Sequence, residues 1–535
     1  MLKHTSVAKK FTWLPRKLVG SVLTRHLATA FAALCIVCLL PFLTLAEFNK
    51  ARNPDYGSLV VYAFGLMALS FILLGLLKLL FRRQPAARLA HAVAVLVLCF
   101  FIYDVFAKGL LAIRPIGNIW YLIAAWAIFT AAAVSAAAYW GARREFGLIF
   151  FTGIVVMALV PAARLSAFEI AVLSQNHSAV DARTNGTPLT SRPNIYFFLL
   201  DGYARADKIK TQLRFDNSQF LDFLKARGFY IVDRATANYP TTWLSVASTL
   251  SMKYIQTEDM PPYRSVAPLH KIMKGENATV QMLRSYGYKY IYVANGHFYY
   301  QCPGQEDYCI QGANRPLLGQ MEINLLKSTP VYPAILQVQP GLIIQPFLGS
   351  FTQVSDVSDE IVNIRLKSPY FVYSHLLVPH PPFTLDAQCK RTGNDNIDLR
   401  GWQELPISGY TDYLQCVNRQ MGELLDRIIA KDPTAIILIQ GDHGTSFLTN
   451  WKLPLKDWPA AGNAERLAPM NAIRLPDRCG TSLYPTMSLV NSFRAVFSCL
   501  ENRKPEFLPD ISYISPDSDH NEFGHVLRVD PYKEN

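Results

Sequence analysis

The sequence predicts an N-terminal domain of five membrane-spanning helices, followed by an α/β domain with a mainly parallel central sheet. Hydrophobic segments of bilayer-crossing length lie in the first third of the chain, and a mostly polar sequence follows them. Within that second part, two apolar runs end abruptly in an aspartate beside a glycine, as buried parallel strands often do. A chain of 535 residues is too long for one ordinary domain, which agrees with this division.

The predicted spans are hydrophobic segments of roughly twenty residues. They are Leu27–Ala46, Ser58–Leu77, Leu89–Ala107, Ile119–Tyr139 and Phe146–Ala163. The third is the most polar of them, because His91 and Asp104 lie within it. Further hydrophobic segments follow the first, which argues against a cleavable signal peptide there.

The basic residues of the first third predict the orientation of the spans. They concentrate before the first span, between the second and third, and between the fourth and fifth. The positive-inside rule then places the N-terminus in the cytoplasm and, after five spans, everything beyond residue 164 outside. Much of the net charge of +12 lies in these segments, so it sets topology and does not indicate a nucleic-acid partner.

Six cysteines lie in the second part of the chain, and an even number there suits disulfides in an oxidising compartment. A zinc cluster is the alternative, but none of the six has a Cys-x-x-Cys spacing, which favours disulfides. Connectivity is open at this point. Pairing neighbours along the chain is the simplest arrangement, giving Cys302–Cys309, Cys389–Cys416 and Cys479–Cys499.

We expect a transmembrane domain over 1–173, a linker over 174–192 and an extracytoplasmic α/β domain over 193–535. Leu165–Leu173 is expected to form a short interfacial helix, and the linker is polar and contains Gly and Pro. Further predicted elements are a helix over Ser218–Arg227, strands over Gly228–Asp233 and Tyr370–Leu376, a helix over Tyr410–Ile429, a strand over Leu467–Leu475 and a helix over Tyr484–Leu500.

Asp201 follows one predicted strand, and Asp442 with His443 follows the other, Ala435–Ile439. Ligands of open α/β sheets sit beyond the carboxyl ends of the strands. Carboxylate oxygens and an imidazole nitrogen there could bind a divalent metal. A polar turn after each strand is the alternative interpretation.

Thr241 and Thr242 follow Pro240, where a helix is expected to begin. A hydroxyl at a helix N-terminus faces the positive end of the dipole, where phosphate is favoured and an alkoxide is less costly. Simple N-capping is the alternative explanation for these threonines.

The order of these features resembles that of the alkaline phosphatase/sulfatase superfamily. The features are Asp201 after a strand, a hydroxyl at a helix start about forty positions later, a Pro379-His-Pro-Pro-Phe383 segment, and Asp442-His443-Gly444. With five preceding spans, the chain most resembles the membrane-anchored sulfatase-like phosphotransferases, of the lipoteichoic acid synthase and lipid A phosphoethanolamine transferase types. The resemblance implies the superfamily's α/β/α fold for the second domain.

The resemblance also implies roles for individual residues. Asp201, Asp442 and His443 match the metal ligands, Thr242 matches the nucleophile, and His380 matches a histidine that contacts substrate. Thr242 is preferred to Thr241 because Ser248 and Ser251 then fall six and nine positions later, as in sulfatases. The expected cofactor is one divalent metal, zinc or manganese. A second metal stays open, with His375, His520 and His525 as partial candidates.

The implied reaction moves a phosphoethanolamine or phosphoglycerol headgroup from a membrane phospholipid to an envelope glycan or lipid, through a phospho-threonine. The implied location is a bacterial cytoplasmic membrane, with the catalytic domain periplasmic or extracellular. Sulfatases need Cys or Ser in a Cys/Ser-x-Pro-x-Arg frame, and Thr-Trp-Leu-Ser-Val stands here, which argues against formylglycine chemistry. A membrane-tethered phosphodiesterase or phosphatase and a non-catalytic sensor or scaffold are the alternatives. Five spans favour the transferase, because one span would tether a hydrolase.

Overall fold

The structure is a computed structural model that describes residues 16–52, 56–113, 117–173, 189, 191–295, 302–312, 320–339, 341–342, 351–392, 402–477, 479, 483–517 and 522–534. The chain divides into two units. The first, here the membrane unit, comprises Met1–Ala171 and Gln320–Gln339; the second, the catalytic unit, comprises Val172–Gly319 and Pro340–Asn535. Most of the predicted linker, 174–188 and 190, lies outside the described residues.

The membrane unit consists of helices. They are α1 (Arg16–Phe48), α2 (Tyr56–Leu80), α3 (Ala86–Phe101), α4 (Tyr103–Ile113), α5 (Ile119–Trp140), α6 (Arg144–Leu173), α12 (Gln320–Lys327) and α13 (Val331–Val338), numbered in chain order. Four of them, α1, α2, α5 and α6, are long and apolar enough to cross a membrane. The predicted spans in these four helices are confirmed.

The predicted third span is divided between α3 and α4, which meet at a bend of 60°. Asp104, whose charge made this span the most polar, lies in the first turn of α4 and pairs with Lys108 at 2.6 Å. The prediction of a separate helix at Leu165–Leu173 is wrong, because α6 continues through Pro161 to Leu173. A proline inside a helix removes a single backbone donor, and here the apolar sequence on both sides sustains the helix.

The catalytic unit contains a seven-stranded sheet in the order β2-β7-β6-β1-β5-β3-β4. Its strands are β1 (Ile195–Leu200), β2 (Tyr230–Ile231), β3 (Lys289–Ala294), β4 (Tyr308–Gln311), β5 (Tyr370–Leu376), β6 (Ile436–Gln440) and β7 (Asn471–Arg474); β8 (Ser512–Ile514) and β9 (Leu527–Val529) form a separate pair. The pairs from β4 to β6 are parallel, while β7 is antiparallel to both of its neighbours. The predicted mainly parallel sheet is confirmed.

Helices pack on both faces of this sheet. They are α7 (Ala206–Gln212), α8 (Ser218–Lys225), α9 (Thr242–Ser251), α10 (Ala267–Met273), α11 (Ala278–Ser285), α14 (Val354–Val362), α15 (Ile407–Lys431), α16 (Ala460–Arg466) and α17 (Ser492–Leu500), with short 3-10 turns at Trp402–Glu404, Leu455–Asp457 and Leu489–Asn491. A further 3-10 turn, Lys50–Arg52, belongs to the membrane unit. Phe198 of β1 joins the core cluster beneath α15, while Phe197 on the opposite face meets Phe493 of α17 edge-on. All six residues of β1 are buried, because strand faces covered by helices on both sides must be apolar throughout.

The helix predicted over Tyr484–Leu500 is confirmed only from Ser492 onward. Before it, the Asn491 amide donates to Leu508 O, which holds a turn in place of a helix. The predicted disulfides Cys302–Cys309, Cys389–Cys416 and Cys479–Cys499 are all present. Each closes a short stretch of the catalytic unit, so the pairing of sequence neighbours is correct.

Candidate active site

Three predicted metal ligands meet at the carboxyl ends of two paired strands. Asp201 follows β1, and Asp442 and His443 follow β6, which runs parallel to β1 in direct register. One ligand atom from each residue lies within 4.8 Å of the other two, and all three side chains are buried. The parallel pairing of β1 with β6 therefore brings together residues 241 positions apart in sequence (442 − 201).

The imidazole of His443 is oriented for metal ligation. Its Nδ1–H donates to the Gly444 carbonyl at 2.9 Å, because a carbonyl can only accept, and this leaves a lone pair on Nε2. That Nε2 lies 3.1 Å from Asp442 Oδ2 and 3.6 Å from Asp201 Oδ1. Burial and the nearby Arg466 lower the pKa of His443 well below its usual value, so the ring stays neutral.

The carboxylates also fit a bound cation. Asp201 Oδ1 and Asp442 Oδ2 are buried and accept no hydrogen bond from the described residues. Burial together with the neighbouring Asp201 raises the pKa of Asp442 to about 7. Burial also raises the pKa of Asp201, but the nearby imidazoles, His380 first, outweigh it and lower that pKa. Two carboxylates and one neutral imidazole form a donor set that suits zinc or manganese.

Two glycines permit this close arrangement. Gly202 has φ +71°, and its N–H donates to Asp442 Oδ1 at 3.0 Å. A Cβ at Gly202 would lie 3.0 Å from the Trp402 ring, and one at Gly444 would lie 2.2 Å from Glu465 O. Neither position accepts a side chain without a shift, which explains why the strand-end motifs contain glycine.

Thr242 is the first residue of α9, and its Oγ1 lies 3.2 Å from His443 Nε2. Thr241, the preceding residue, is buried and its side chain makes no capping hydrogen bond. Ser245 fixes the helix to the metal-ligand loop, since its Oγ donates to Asp442 O at 2.6 Å. Of the two threonines, the structure therefore brings Thr242 to the cluster. Ser248 bonds instead to Lys253 O.

His380 follows β5 and lies beside Gly202. Its Cα is 3.8 Å from the position of a Gly202 Cβ, and its ring meets the Trp402 ring edge-on with centroids 5.3 Å apart. Its Nδ1–H donates to the Pro381 carbonyl at 2.7 Å, so Nε2 carries the lone pair. Burial lowers the pKa of His380. The ring is thus neutral and fixed in one tautomer.

The loop that carries His380 is fastened to α15. Phe383 packs edge-on against Tyr410, and Thr384 Oγ1 donates to Tyr413 Oη at 3.0 Å. Nine residues beyond His380, the Cys389–Cys416 disulfide attaches the same loop to α15 covalently. These contacts hold a loop that has no regular secondary structure.

Arg466 is a site residue that the sequence did not reveal. It ends α16, is 7% exposed, and its Nη2 donates to His443 Nε2 at 2.7 Å. It also donates to Pro240 O at 2.7 Å and to Gly444 O at 3.2 Å. Burial lowers its pKa to about 10, so it remains charged at neutral pH. No motif surrounds Arg466, and nothing in its spacing marks it.

His375 of β5 lies beside the cluster, with Nε2 3.4 Å from Asp201 Oδ2. Of the other residues considered for a second metal, His525 is exposed and His520 lies outside the described residues. Apart from the Asp201 cluster, the described residues contain one other group of three potential ligands, Cys302, Glu306 and Cys309, and both of its cysteines are in a disulfide. Among the described residues, the Asp201 cluster is thus the one group of this kind whose ligand atoms are not taken up by a disulfide.

The family model described as Sulfatase matches residues 193–469. That range contains Asp201, Thr242, His380, the Asp442-His443 pair and Arg466. A search of curated proteins finds no match.

Several solved structures are similar at low identity. The C-terminal periplasmic domain of EcEptC from Escherichia coli in complex with Zn is 11% identical (TM-score 0.38), covering 66% of this chain and 94% of that one. The integral membrane protein lipooligosaccharide phosphoethanolamine transferase A from Neisseria meningitidis is 12% identical (TM-score 0.37), covering 88% and 95%. A Vibrio parahaemolyticus protein of the alkaline phosphatase superfamily is 12% identical (TM-score 0.39), covering 65% and 81%.

The family model spans more than half of the chain, and it begins two residues before β1, the first strand of the catalytic sheet. The strand-end carboxylates, the Asp-His-Gly turn and the threonine at a helix start all fall within it. The chain belongs to the sulfatase family and is a sulfatase-like enzyme, and four of its described helices are long and apolar enough to cross a membrane.

Proposed function

We propose that this enzyme transfers a phospho-headgroup from a membrane phospholipid to an envelope glycan or lipid, through a phospho-threonine at Thr242. One observation carries the proposal. The Thr242 hydroxyl, at the N-terminus of α9, lies 3.2 Å from Nε2 of a histidine that completes an Asp-Asp-His cluster. A hydroxyl beside a metal-ligand set is the arrangement that an activated oxygen nucleophile requires.

A divalent cation held by Asp201, Asp442 and His443 would stabilise the Thr242 alkoxide and polarise a phosphoryl oxygen. The N-terminal dipole of α9 favours negative charge at the same position. Arg466 supplies a buried guanidinium next to His443, where it can offset charge on the phosphoryl oxygens. Phosphoryl transfer depends mainly on such positioning and charge stabilisation.

In the first step, a bond forms between Thr242 Oγ1 and phosphorus while the bond from phosphorus to the diacylglycerol oxygen breaks. The Thr242 hydroxyl gives up its proton as this bond forms, and the departing diacylglycerol oxygen takes up a proton. In the second step, an acceptor hydroxyl attacks the same phosphorus, and Thr242 leaves as a restored hydroxyl. His380 is suited to exchange these protons, because its Nδ1–H is engaged by the Pro381 carbonyl and Nε2 is the remaining nitrogen.

A lipid donor is supported by the extent of the membrane unit. Four helices and a bent pair are far more than a tether requires. Formylglycine chemistry is disfavoured, because Thr242, Leu244 and Val246 replace the Cys or Ser, the Pro and the Arg of the sulfatase frame.

We further propose that the protein lies in a bacterial cytoplasmic membrane with its catalytic unit outside. The asymmetry of basic residues and the three disulfides support this location. A reporter that works only outside the cytoplasm should be active when fused after residue 190. An inactive fusion at that site, with an active cytoplasmic reporter there, would reverse the orientation.

The reaction is tested by trapping the intermediate. Full-length protein in bilayers is incubated with headgroup-labelled phosphatidylethanolamine or phosphatidylglycerol and no acceptor, and peptides are mapped by mass spectrometry. We expect phosphoethanolamine or phosphoglycerol on Thr242, none in Thr242→Ala, and retained label in Thr241→Ala. Label on Thr241 would correct the residue. Retained activity in both single variants would exclude a phospho-threonine.

Metal dependence and the hydrolase alternative are measured on the same preparation. Chelation should abolish activity, and Asp442→Ala should lose metal by elemental analysis, whereas Thr242→Ala should keep it. Full occupancy in Asp442→Ala would remove Asp442 from the ligand set. Rapid turnover of water-soluble phosphodiesters, with phospholipid in bilayers left untouched, would establish the tethered hydrolase instead.

A further inference from the structure

Two helices that follow β4 in the chain, α12 and α13, belong to the membrane unit. Met321 of α12 is buried in a cluster with Phe42 and Ala46 of α1 and with Leu59 and Ala63 of α2. Glu322 accepts a hydrogen bond from Tyr62 Oη at 2.7 Å. The sequence analysis did not predict that these two helices, which lie about 150 residues after the last span, would belong to the membrane unit.

These contacts fix the height of α12 along the spans. Leu59 and Ala63 lie in the first two turns of α2, roughly 5–10 Å from its start. The end of α1 and the start of α2 are the ends that the positive-inside rule places outside. Interfacial helices bury their apolar face about 5–10 Å into the boundary between headgroups and acyl chains, so α12 is at the matching depth.

The next helix, α13, exposes an uncharged surface at this position. It lies beside α5, none of its eight residues is buried, and Val338 is 72% exposed. From Ser328 to Gln339 the sequence contains no Asp, Glu, Lys, Arg or His, although charged residues make up 17% of the chain. Such a surface is unusual in water and suits a bilayer interface.

We propose that α13 is an interfacial element that rests in the outer leaflet, with its exposed apolar side chains in contact with phospholipid. The neighbouring helix α5 supports this occupant, because it is long and apolar enough to cross a membrane and exposes Tyr121 and Ile128 on its surface. The contact with α5 places α13 next to a helix with an exposed apolar surface. The surface would contact lipid whatever reaction the site catalyses.

The test uses full-length protein in phosphatidylcholine vesicles that contain phosphatidylcholine with a diazirine on one acyl chain. After photolysis, adducts are mapped by mass spectrometry. We expect adducts on Val331–Val338 at a yield comparable to that on α2. Met260 and Leu448 serve as matched controls, because they are exposed apolar residues of the catalytic unit, 42% and 46% exposed, and should carry few.

Val338→Asp should reduce the adducts on α13 by about half or more and leave those on α2 unchanged, whereas Val338→Leu should preserve both. Val338 is exposed, so neither change should impair folding, and unaltered labelling of α2 verifies this. Adducts on α13 no more frequent than on Met260 and Leu448 would overturn the proposal. Labelling that disappears as the protein-to-lipid ratio rises would assign the surface to a second copy of the chain.

Discussion

Arg466 Nη2 donates a 2.7 Å hydrogen bond to His443 Nε2, the same nitrogen that faces the carboxylates of Asp201 and Asp442. An imidazole nitrogen has one lone pair, so a guanidinium and a metal cannot both use it. Metal binding therefore requires the Arg466 guanidinium to break its hydrogen bond to His443. The released guanidinium, still buried beside Thr242, could then donate hydrogen bonds to phosphoryl oxygens.

This relationship predicts opposite effects of Arg466→Met on metal binding and on catalysis. Removing a buried positive charge should tighten zinc binding by roughly tenfold or more, since nearby charges interact strongly in a buried site. Turnover should fall by about 100-fold because a phosphoryl contact is lost. Chelator competition and activity assays measure the two effects. Arg494→Met is the control, because Arg494 donates to Met252 O in the same unit. Weaker zinc binding in Arg466→Met would contradict the idea that Arg466 and the metal compete for His443 Nε2.

His380→Gln should lower turnover by about 100-fold or more, because a positioned proton carrier is lost. Its metal content should stay unchanged, since His380 is not among the three clustered ligands. His525→Gln, which alters an exposed histidine, should leave both properties intact. Activity assays and elemental analysis of both variants measure turnover and metal content. Loss of metal in His380→Gln would make His380 a ligand and not a proton carrier.

Gly202→Ala should destabilise the protein by about 2 kcal/mol or more and weaken metal binding. The left-handed backbone at φ +71° disfavours a side chain, and the added Cβ would press on Trp402. Gly304→Ala separates these two causes, because Gly304 has φ +82° with nothing within 4 Å of its Cβ. Thermal unfolding and zinc titration of both variants provide the comparison. Equal losses would show that the backbone alone matters.

Removing the Cys389–Cys416 disulfide should cost about 3.5 kcal/mol, from the loop-closure entropy of a separation of 27 residues. Removing Cys302–Cys309, with a separation of 7, should cost about 2.4 kcal/mol. Denaturant unfolding of the two double Cys→Ser variants shows which disulfide contributes more to the free energy of unfolding. The first variant should also lose activity, because that bridge anchors the His380 loop. Full activity in it would mean that the noncovalent contacts with α15 suffice.

The candidate site could be predicted from the sequence for those residues whose position follows directly from the end of a predicted strand or the start of a predicted helix. Asp201 and Asp442-His443 could be predicted, because each follows a continuous apolar strand and strand ends share one edge of a parallel sheet. A threonine at a helix start could be predicted, and the preference for Thr242 over Thr241 came from the resemblance to sulfatases, through the spacing to Ser248 and Ser251. Arg466 could not, since it reaches the site from the end of a seven-residue helix through tertiary packing alone.

Elsewhere, the missing information was also nonlocal. The break between α3 and α4 interrupts a single apolar stretch, and hydropathy alone treats that stretch as one span. The membership of α12 in the membrane unit depends on contacts between Met321 and residues near position 42. Periodicity in a short window carries no signal of such contacts.

The Cys389–Cys416 disulfide has a consequence for when the enzyme becomes fully active. Disulfides form in oxidising compartments, so a newly made chain in the cytosol would carry both thiols reduced. The segment bearing His380 would then lack its covalent anchor until after export. A chain whose bridge has not yet formed would hold this segment only by its noncovalent contacts with α15, so full activity is expected to follow formation of the bridge.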